Sequence, residues 1–334
     1  MPSRLGTAVC ADPAAGGRPL VTLEDVREAR RRIGDRVHTT PVFGSESLQR
    51  ELGMPLAFKA ELFQKTGSFK PRGALHKISR LSDAEKRRGL VTISAGNHAA
   101  ALAYAGAAEG VACTVVMPEN ANPTKVRATQ AYGARVVLHG DAAGAFARAH
   151  EIEKQEGLVF VHPFDDPHIV AGAGTVGLEC VEQVPDLGAV VVPVGGGGLI
   201  AGVATAVRAL RPKTRVYGVE PDGAASMVQS LREGHAVHLE RVSTVADGLA
   251  PPMAGELNFD IVRRLVEDVV TVTDEQILEA MRLVMTRLKL AVEPSGAAGL
   301  AALVSGALRP PADGRVVVLL SGGNVDLQRL KSLL

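Results

Sequence analysis

Lys70 stands in "FQKTGSFKPRGA" (residues 63–74) between Phe69 and Pro71, with Gly67 and Gly73 on either side. Most lysines are solvated surface residues among polar, helix-favouring neighbours. An aromatic, a proline and glycines instead desolvate an amine, lower its pKa and make it a nucleophile toward carbonyls. A second candidate is "VPVGGGGLIAG", in which four glycines at 195–198 separate a β-branched run from the start of a helix. Glycine clusters serve as plain tight turns, but they also let the backbone approach an anion. Successive N–H groups and a helix N-terminus then supply positive potential. No G-K-[ST] follows, so this is no Walker loop, and the spacing is not a dinucleotide fingerprint. A phosphate without its own lysine is the natural guest.

The elements that must carry these residues follow from the hydrophobic pattern. "LVTIS" (90–94), "ACTVVMP" (112–118), "ARVVLHG" (134–140), "LVFVHPF" (158–164), "GAVVVPV" (188–194), "RVYGVEP" (215–221) and "RVVVLLS" (315–321) are apolar on successive positions and alternate with alanine-rich helical stretches. Such strands are buried on both faces, and the alternation implies parallel sheets covered by helices. Ligands in open parallel sheets collect at the carboxyl ends of strands. "LVTIS-AGNH", "VVVPV-GGGG" and "VVVLL-SGGN" each put a glycine-rich polar turn at such an end. The spacing at 22–34 predicts a helix capped by Thr22, with Asp25 at its third position. The expected organisation is two lobes: a large one from 21–87 and 166–334, a small one over 88–165, and a disordered tail at 1–20. No C-terminal regulatory domain is expected.

Bulk properties limit the classes of function. The chain has 334 residues, is 46% hydrophobic and carries a formal charge of +1, so nothing in its charge favours nucleic acid or an acidic membrane. Trp is absent and aromatics are 3%, so the core must be aliphatic. Cys10, Cys113 and Cys180 are far apart and lack metal-ligand or C-x-x-C spacing, which fits a reduced, cytoplasmic protein. The uncharged stretch 189–207 has membrane length, but Pro193 and the glycines make it a strand, a loop and a buried helix.

An amine nucleophile, a phosphate cup and a separate polar turn together suggest a phosphorylated aldehyde cofactor, pyridoxal 5′-phosphate. At this point a resemblance emerges. "KTGSFKPRGA", "SAGNHAA", "HPFDDPHIVAGAGTVGLE", "PVGGGGLIAG", "VADGLA", "AVEPSGAAGLAAL" and "LLSGGNVD" resemble, in order from about residue 22 to 330, the fold type II pyridoxal-phosphate enzymes. The branch is similar to the threonine/serine dehydratases, with serine racemase nearby. The resemblance implies a two-lobed, tryptophan-synthase-β-like α/β fold with parallel twisted sheets flanked by helices. It implies that Lys70 carries the cofactor as a Schiff base, with Phe69 packed against it. Asn97 would bond the 3′-oxygen, Gly195, Gly196, Gly197, Gly198 and Leu199 would hold the phosphate, Ser321 would meet the pyridine nitrogen, and Glu293 would lie on the same side of the ring. The turn of Ser94, Ala95, Gly96, Asn97 and His98 would receive the substrate carboxylate. Each residue also has a plainer reading, with Asn97 and Ser321 as caps and Glu293 as a surface residue before Pro294.

The implied reaction is β-elimination from a β-hydroxy amino acid, L-threonine or L-serine, to a 2-oxo acid and ammonia, with Lys70 as the base on the α-proton. A hydroxyl at Ser321 cannot keep a proton on the ring nitrogen as a carboxylate would. The weaker electron sink that results suits elimination over transamination. Alternatives are serine racemase, a dehydratase for another 3-hydroxy amino acid, and a β-replacement synthase. Ala95 stands where racemase-like relatives have a serine that carries a proton. Pro251, Pro252 and Met253 follow "VADGLA" where serine-specific relatives have hydroxyl residues, which favours a less polar side chain. Some relatives bind a divalent cation, but Ser226 replaces the second carboxylate expected near Glu220, so no metal is expected. The expected assembly is a homodimer.

Overall fold

Thr22 opens the first helix through a reciprocal capping box. Its hydroxyl accepts from the Asp25 N–H at 3.2 Å while the Asp25 carboxylate accepts from the Thr22 N–H at 2.8 Å. The computed structural model describes residues 21–311 and 313–333. The tail expected at 1–20, and Cys10 with it, lies outside the described residues.

Helix α1 (Leu23–Ile33) buries Val26, Ala29 and Ile33 and is followed by β1 (Val42–Gly44), α2 (Glu46–Leu52), β2 (Leu56–Ala60), α3 (Lys70–Ser79) and α4 (Asp83–Arg88). Strands and helices then alternate through β3 (Leu90–Ile93), α5 (Asn97–Glu109), β4 (Cys113–Met117), α6 (Pro123–Ala131), β5 (Arg135–Leu138), α7 (Ala142–Glu156) and β6 (Val159–Phe160). The chain continues as α8 (Pro167–Gln183), β7 (Leu187–Pro193), α9 (Gly198–Leu210), β8 (Arg215–Pro221) and α10 (Ser226–Glu233). Last come α11 (Glu256–Leu265), β9 (Asp268–Val272), α12 (Asp274–Leu283), α13 (Pro294–Val304), β10 (Arg315–Leu320) and α14 (Leu327–Leu333).

Two sheets form, one in the order β1-β2-β10-β7-β8-β9 and one in the order β5-β4-β3-β6. Every pairing is parallel except β1 with β2. The unbroken apolar runs have a direct cause in the larger sheet. Val191 and Val318 pack into the core on one face, and Val190, Val192 and Val317 into the core on the other. Both faces being covered, alternation has no polar phase.

Three strands lie outside the seven apolar runs. β1 is a three-residue edge strand, β2 ("LAFKA") carries a buried lysine, and β9 begins on Asp268. The run 158–164 is a strand only at Val159–Phe160, beyond which Pro163 and the turn around it take over. The stretch 189–207 is β7, the glycine turn and α9, and no helix among the described residues is long and apolar enough to cross a membrane.

Candidate active site

Lys70 is the first residue of α3, and Pro71 follows where a helix has no N–H to bond. Its Nζ donates to the Pro163 carbonyl at 2.8 Å and lies 5.2 Å from the centre of the Phe69 ring. The side chain keeps some surface open to the cleft, yet burial of the amine lowers its pKa to about 8. The start of α3 is clamped from behind. The Arg72 guanidinium donates to both Glu61 oxygens at 2.8 Å, to Glu179 at 2.6 and 3.0 Å, to Thr175 Oγ1 at 3.1 Å and to the His38 carbonyl at 3.2 Å. Lys59 donates to Glu179, Gln183 and the Thr40 carbonyl. Two cations thus face two carboxylates in the interior with their donors satisfied.

The segment His162–Asp166 ties the lysine to the rest of the site. His162 Nδ1 accepts from the N–H groups of Asp165 (2.7 Å) and Phe164 (3.3 Å), so the proton sits on Nε2, and burial lowers its pKa. The Asp165 carboxylate accepts from Glu256 N and Leu257 N at the head of α11, and Asp166 accepts from His168 N and Ile169 N at the head of α8. Adjacent aspartates therefore bond the heads of two different helices, which anchors the segment just after Pro163.

Phe164 forms one wall of the glycine turn between β7 and α9. A methyl on Gly196 would sit 2.3–2.4 Å from the Phe164 ring, and Gly197 holds φ +91°, so neither position admits a side chain. Among the described residues, nothing accepts from the N–H groups of Gly195, Gly196 or Gly197. Those orphan donors and the head of α9 are a fitting cradle for a phosphate. Leu199 is buried behind them.

Asn97 and Glu293 meet on the opposite side of the cleft. Asn97 Nδ2 donates to Glu293 Oε1 at 2.7 Å, and Asn324 Nδ2 donates to Asn97 Oδ1 at 2.9 Å and to the Thr66 carbonyl at 2.7 Å. Burial, then the nearby Asp247 carboxylate, push the Glu293 pKa up to about 7. Ser321 lies at the end of β10, where its carbonyl accepts from Phe69 N at 3.1 Å and the following Gly322 bridges Ser68. In the turn after β3, the Ser94 N–H goes to the Val116 carbonyl and the Gly96 N–H to Ser94 Oγ at 3.1 Å. Ala95 and the first N–H groups of α5 are thus the donors left for a carboxylate, fewer than the whole turn offers. His98 is buried, and desolvation, with Lys70 nearby, holds its pKa well below the usual value.

Of the residues after "VADGLA", Pro251 faces the cup, 3.1 Å from where a Gly195 methyl would stand. Pro252 and Met253 instead pair with the 238–239 segment. Both Glu220 oxygens are taken by the head of α10, from Met227 N at 2.9 Å and Val228 N at 2.8 Å. No group of three or more His, Cys, Asp or Glu side chains gathers for a metal among the described residues. Sequence reasoning gave no role to Pro163, Phe164, Asn258 or Asn324. The first two and Asn324 lie inside motifs it did quote, while Asn258 carries no local signal.

A lysine at a helix start, facing an anion cup on a strand–helix turn of a parallel sheet, is the arrangement of the fold type II pyridoxal-phosphate enzymes. The comparisons agree with it. Residues 33–322 match the family model described as pyridoxal-phosphate dependent enzyme, and the chain belongs to that family. It is 42% identical over 317 residues to an L-threonine ammonia-lyase of Thermotoga maritima, spanning 94% of this chain and 78% of that one. It is 42% identical over 307 residues to a phenylserine dehydratase of Ralstonia pickettii, spanning 92% and 94%. The solved structure of maize serine racemase superposes with a TM-score of 0.90 at 39% identity, covering 94% and 97% of the two chains.

Proposed function

We propose that the chain is an ammonia-lyase that eliminates water from a 3-hydroxy amino acid, L-threonine and L-serine first, to give a 2-oxo acid and ammonia. The observation that carries this reading is the Lys70 amine, desolvated and held by a neutral carbonyl rather than a carboxylate. A carboxylate partner would lock it as an ammonium ion. The carbonyl leaves an amine that can bind an aldehyde and then act as base on the α-carbon.

Bound pyridoxal phosphate supplies an electron sink that acidifies the α C–H bond. In this reading each residue of the site has a role. The Gly195–Leu199 turn would hold the phosphate, Asn97 would offer its second Nδ2 proton to the ring oxygen, and Ser321 would offer a hydroxyl to the ring nitrogen. Ala95 and the head of α5 receive the substrate carboxylate, and Lys70 takes the α-proton. Ala95 also decides against racemisation. Reprotonation from the face opposite Lys70 needs a proton carrier, and a methyl group is none.

Loss of the β-hydroxyl should therefore dominate. Incubation with L-threonine or L-serine and no added nucleophile should release ammonia and a 2-oxo acid in equal amounts, with negligible D-enantiomer by chiral chromatography. D-serine forming as fast as pyruvate would overturn the assignment. A panel of threonine, serine and phenylserine reads the side-chain preference directly. The reading extends to a small lobe over 88–165, built on the sheet β5-β4-β3-β6, and to a homodimer, which light scattering tests. The free, buried Cys113 and Cys180 support a cytoplasmic location.

A further inference from the structure

The 196–197 peptide carries one of the orphan donors of the glycine turn, and a residue 62 positions away bonds its carbonyl. The Gly196 carbonyl accepts two hydrogen bonds from the protein interior, from Asn258 Nδ2 at 2.7 Å and from the Gly255 N–H at 3.1 Å. Asn258 Nδ2 gives its other proton to the Phe164 carbonyl at 3.1 Å. Both partners are carbonyls, so the nitrogen end of the amide must face them. Asn258 is fully buried on α11 and packs directly on the turn, its Cβ 2.9 Å from where a Gly197 methyl would stand.

Across a trans peptide the C=O and the next N–H point in opposite directions. Holding the Gly196 oxygen inward therefore turns the Gly197 N–H away from the interior, and that N–H has no acceptor among the described residues. Gly197 at φ +91° is also in the left-handed conformation that converges neighbouring N–H groups on an anion. Without Asn258 only the Gly255 N–H still holds that carbonyl, and the peptide is freer to rotate and present it to the ligand, replacing a donor by a partial negative charge.

We propose that Asn258 is a positioning residue for the cofactor phosphate. It keeps the Gly196 carbonyl out of the cup, and through Phe164 it joins the cup to the segment that holds Lys70. The inference rests on the pyridoxal-phosphate reading of the site.

The test compares pyridoxal phosphate with pyridoxal, which has the aldehyde and ring but no phosphate. Full-length protein stripped of cofactor is titrated with each, following absorbance, for the wild type, Asn258→Leu and Asn258→Asp. Both variants keep the branching of the side chain, leucine being the bulkier and aspartate nearly isosteric. The first removes both donors, and the second leaves at most one, on a protonated carboxyl. Each should weaken pyridoxal phosphate about tenfold, the scale of one hydrogen bond to a charged group, and leave pyridoxal within about twofold. Either variant alone reads this ratio if the other does not fold. Parallel weakening of both ligands would make Asn258 a general scaffold residue and overturn the proposal, as would no change for either. A wild type that binds pyridoxal as tightly as pyridoxal phosphate would overturn the cup itself, and the inference with it.

Discussion

Lys70 meets a carbonyl where an ordinary lysine meets water or a carboxylate, and that choice sets its chemistry. With the pKa lowered to about 8 by burial, its neutral form dominates above that pH. Cofactor-free protein should therefore capture pyridoxal phosphate at a rate that rises with pH and levels off just above 8. A surface amine would keep rising toward its usual value near 10.4. Stopped-flow absorbance checks this, and Lys70→Ala should abolish both borohydride fixation and turnover. Glu293 is the second titrating group, pushed up to about 7 by burial and by Asp247. Its ionised form accepts the Asn97 proton more strongly and so holds the amide in place. We expect kcat/KM to fall as pH drops through about 7, because protonation discharges that acceptor. Glu293→Gln should flatten this limb at reduced activity. A limb unmoved in the variant would belong to another group.

At the scale of elements, legibility tracked how local the cause was. The helix at Thr22, the apolar strands and the glycine turn announce themselves because capping, two-faced burial and backbone approach are written in neighbouring residues. β2 was not legible because Lys59 breaks its pattern, and the reason lies across the fold, in Glu179 and Gln183 of α8. The role of Asp165 was hidden in the same way, since the helix it caps starts at Glu256. Asn258 shows the limit. An asparagine inside an amphipathic helix has no sequence signature for the turn it braces. The buried cluster around Arg72 supports α3 at the residue after next from Lys70, so its loss should register as stability. Arg72→Met leaves Glu179 with Lys59 as its one cation and strips Glu61 of its guanidinium partner in the interior. Removal of one partner from a buried ionic cluster costs roughly 3–5 kcal/mol. Denaturant unfolding of the two proteins measures it, and a difference under about 1 kcal/mol would mean the cluster readily rehydrates.

Across the whole molecule, the α6 segment that flanks the smaller sheet meets the 247 turn and the C-terminal segment through polar and charged groups, one pair of which acts on the site. Lys125 of α6 pairs with Asp247, which Arg329 of α14 also approaches, and Asn122 donates to Asp326 at 2.8 Å. As a clasp, the pair can be broken from either side and both changes should loosen the cleft, more so at Asp247, which also loses Arg329. Their electrostatic effects on Glu293 are opposite. Asp247 raises its pKa, whereas Lys125 lowers it. Asp247→Asn should accordingly move the acid limb of kcat/KM to lower pH, and Lys125→Met should move it to higher pH. Both side chains are partly exposed, 39% and 27%, so solvent screens them and the shifts should be modest. The separation should shrink as salt is added, since exposed charges are screened over a Debye length of about 10 Å at 0.1 M. The measurement is the pH profile of both variants at low and high ionic strength. Shifts of the same sign in the two variants would show that the pair acts on the reaction by closing the cleft and not by charge at Glu293.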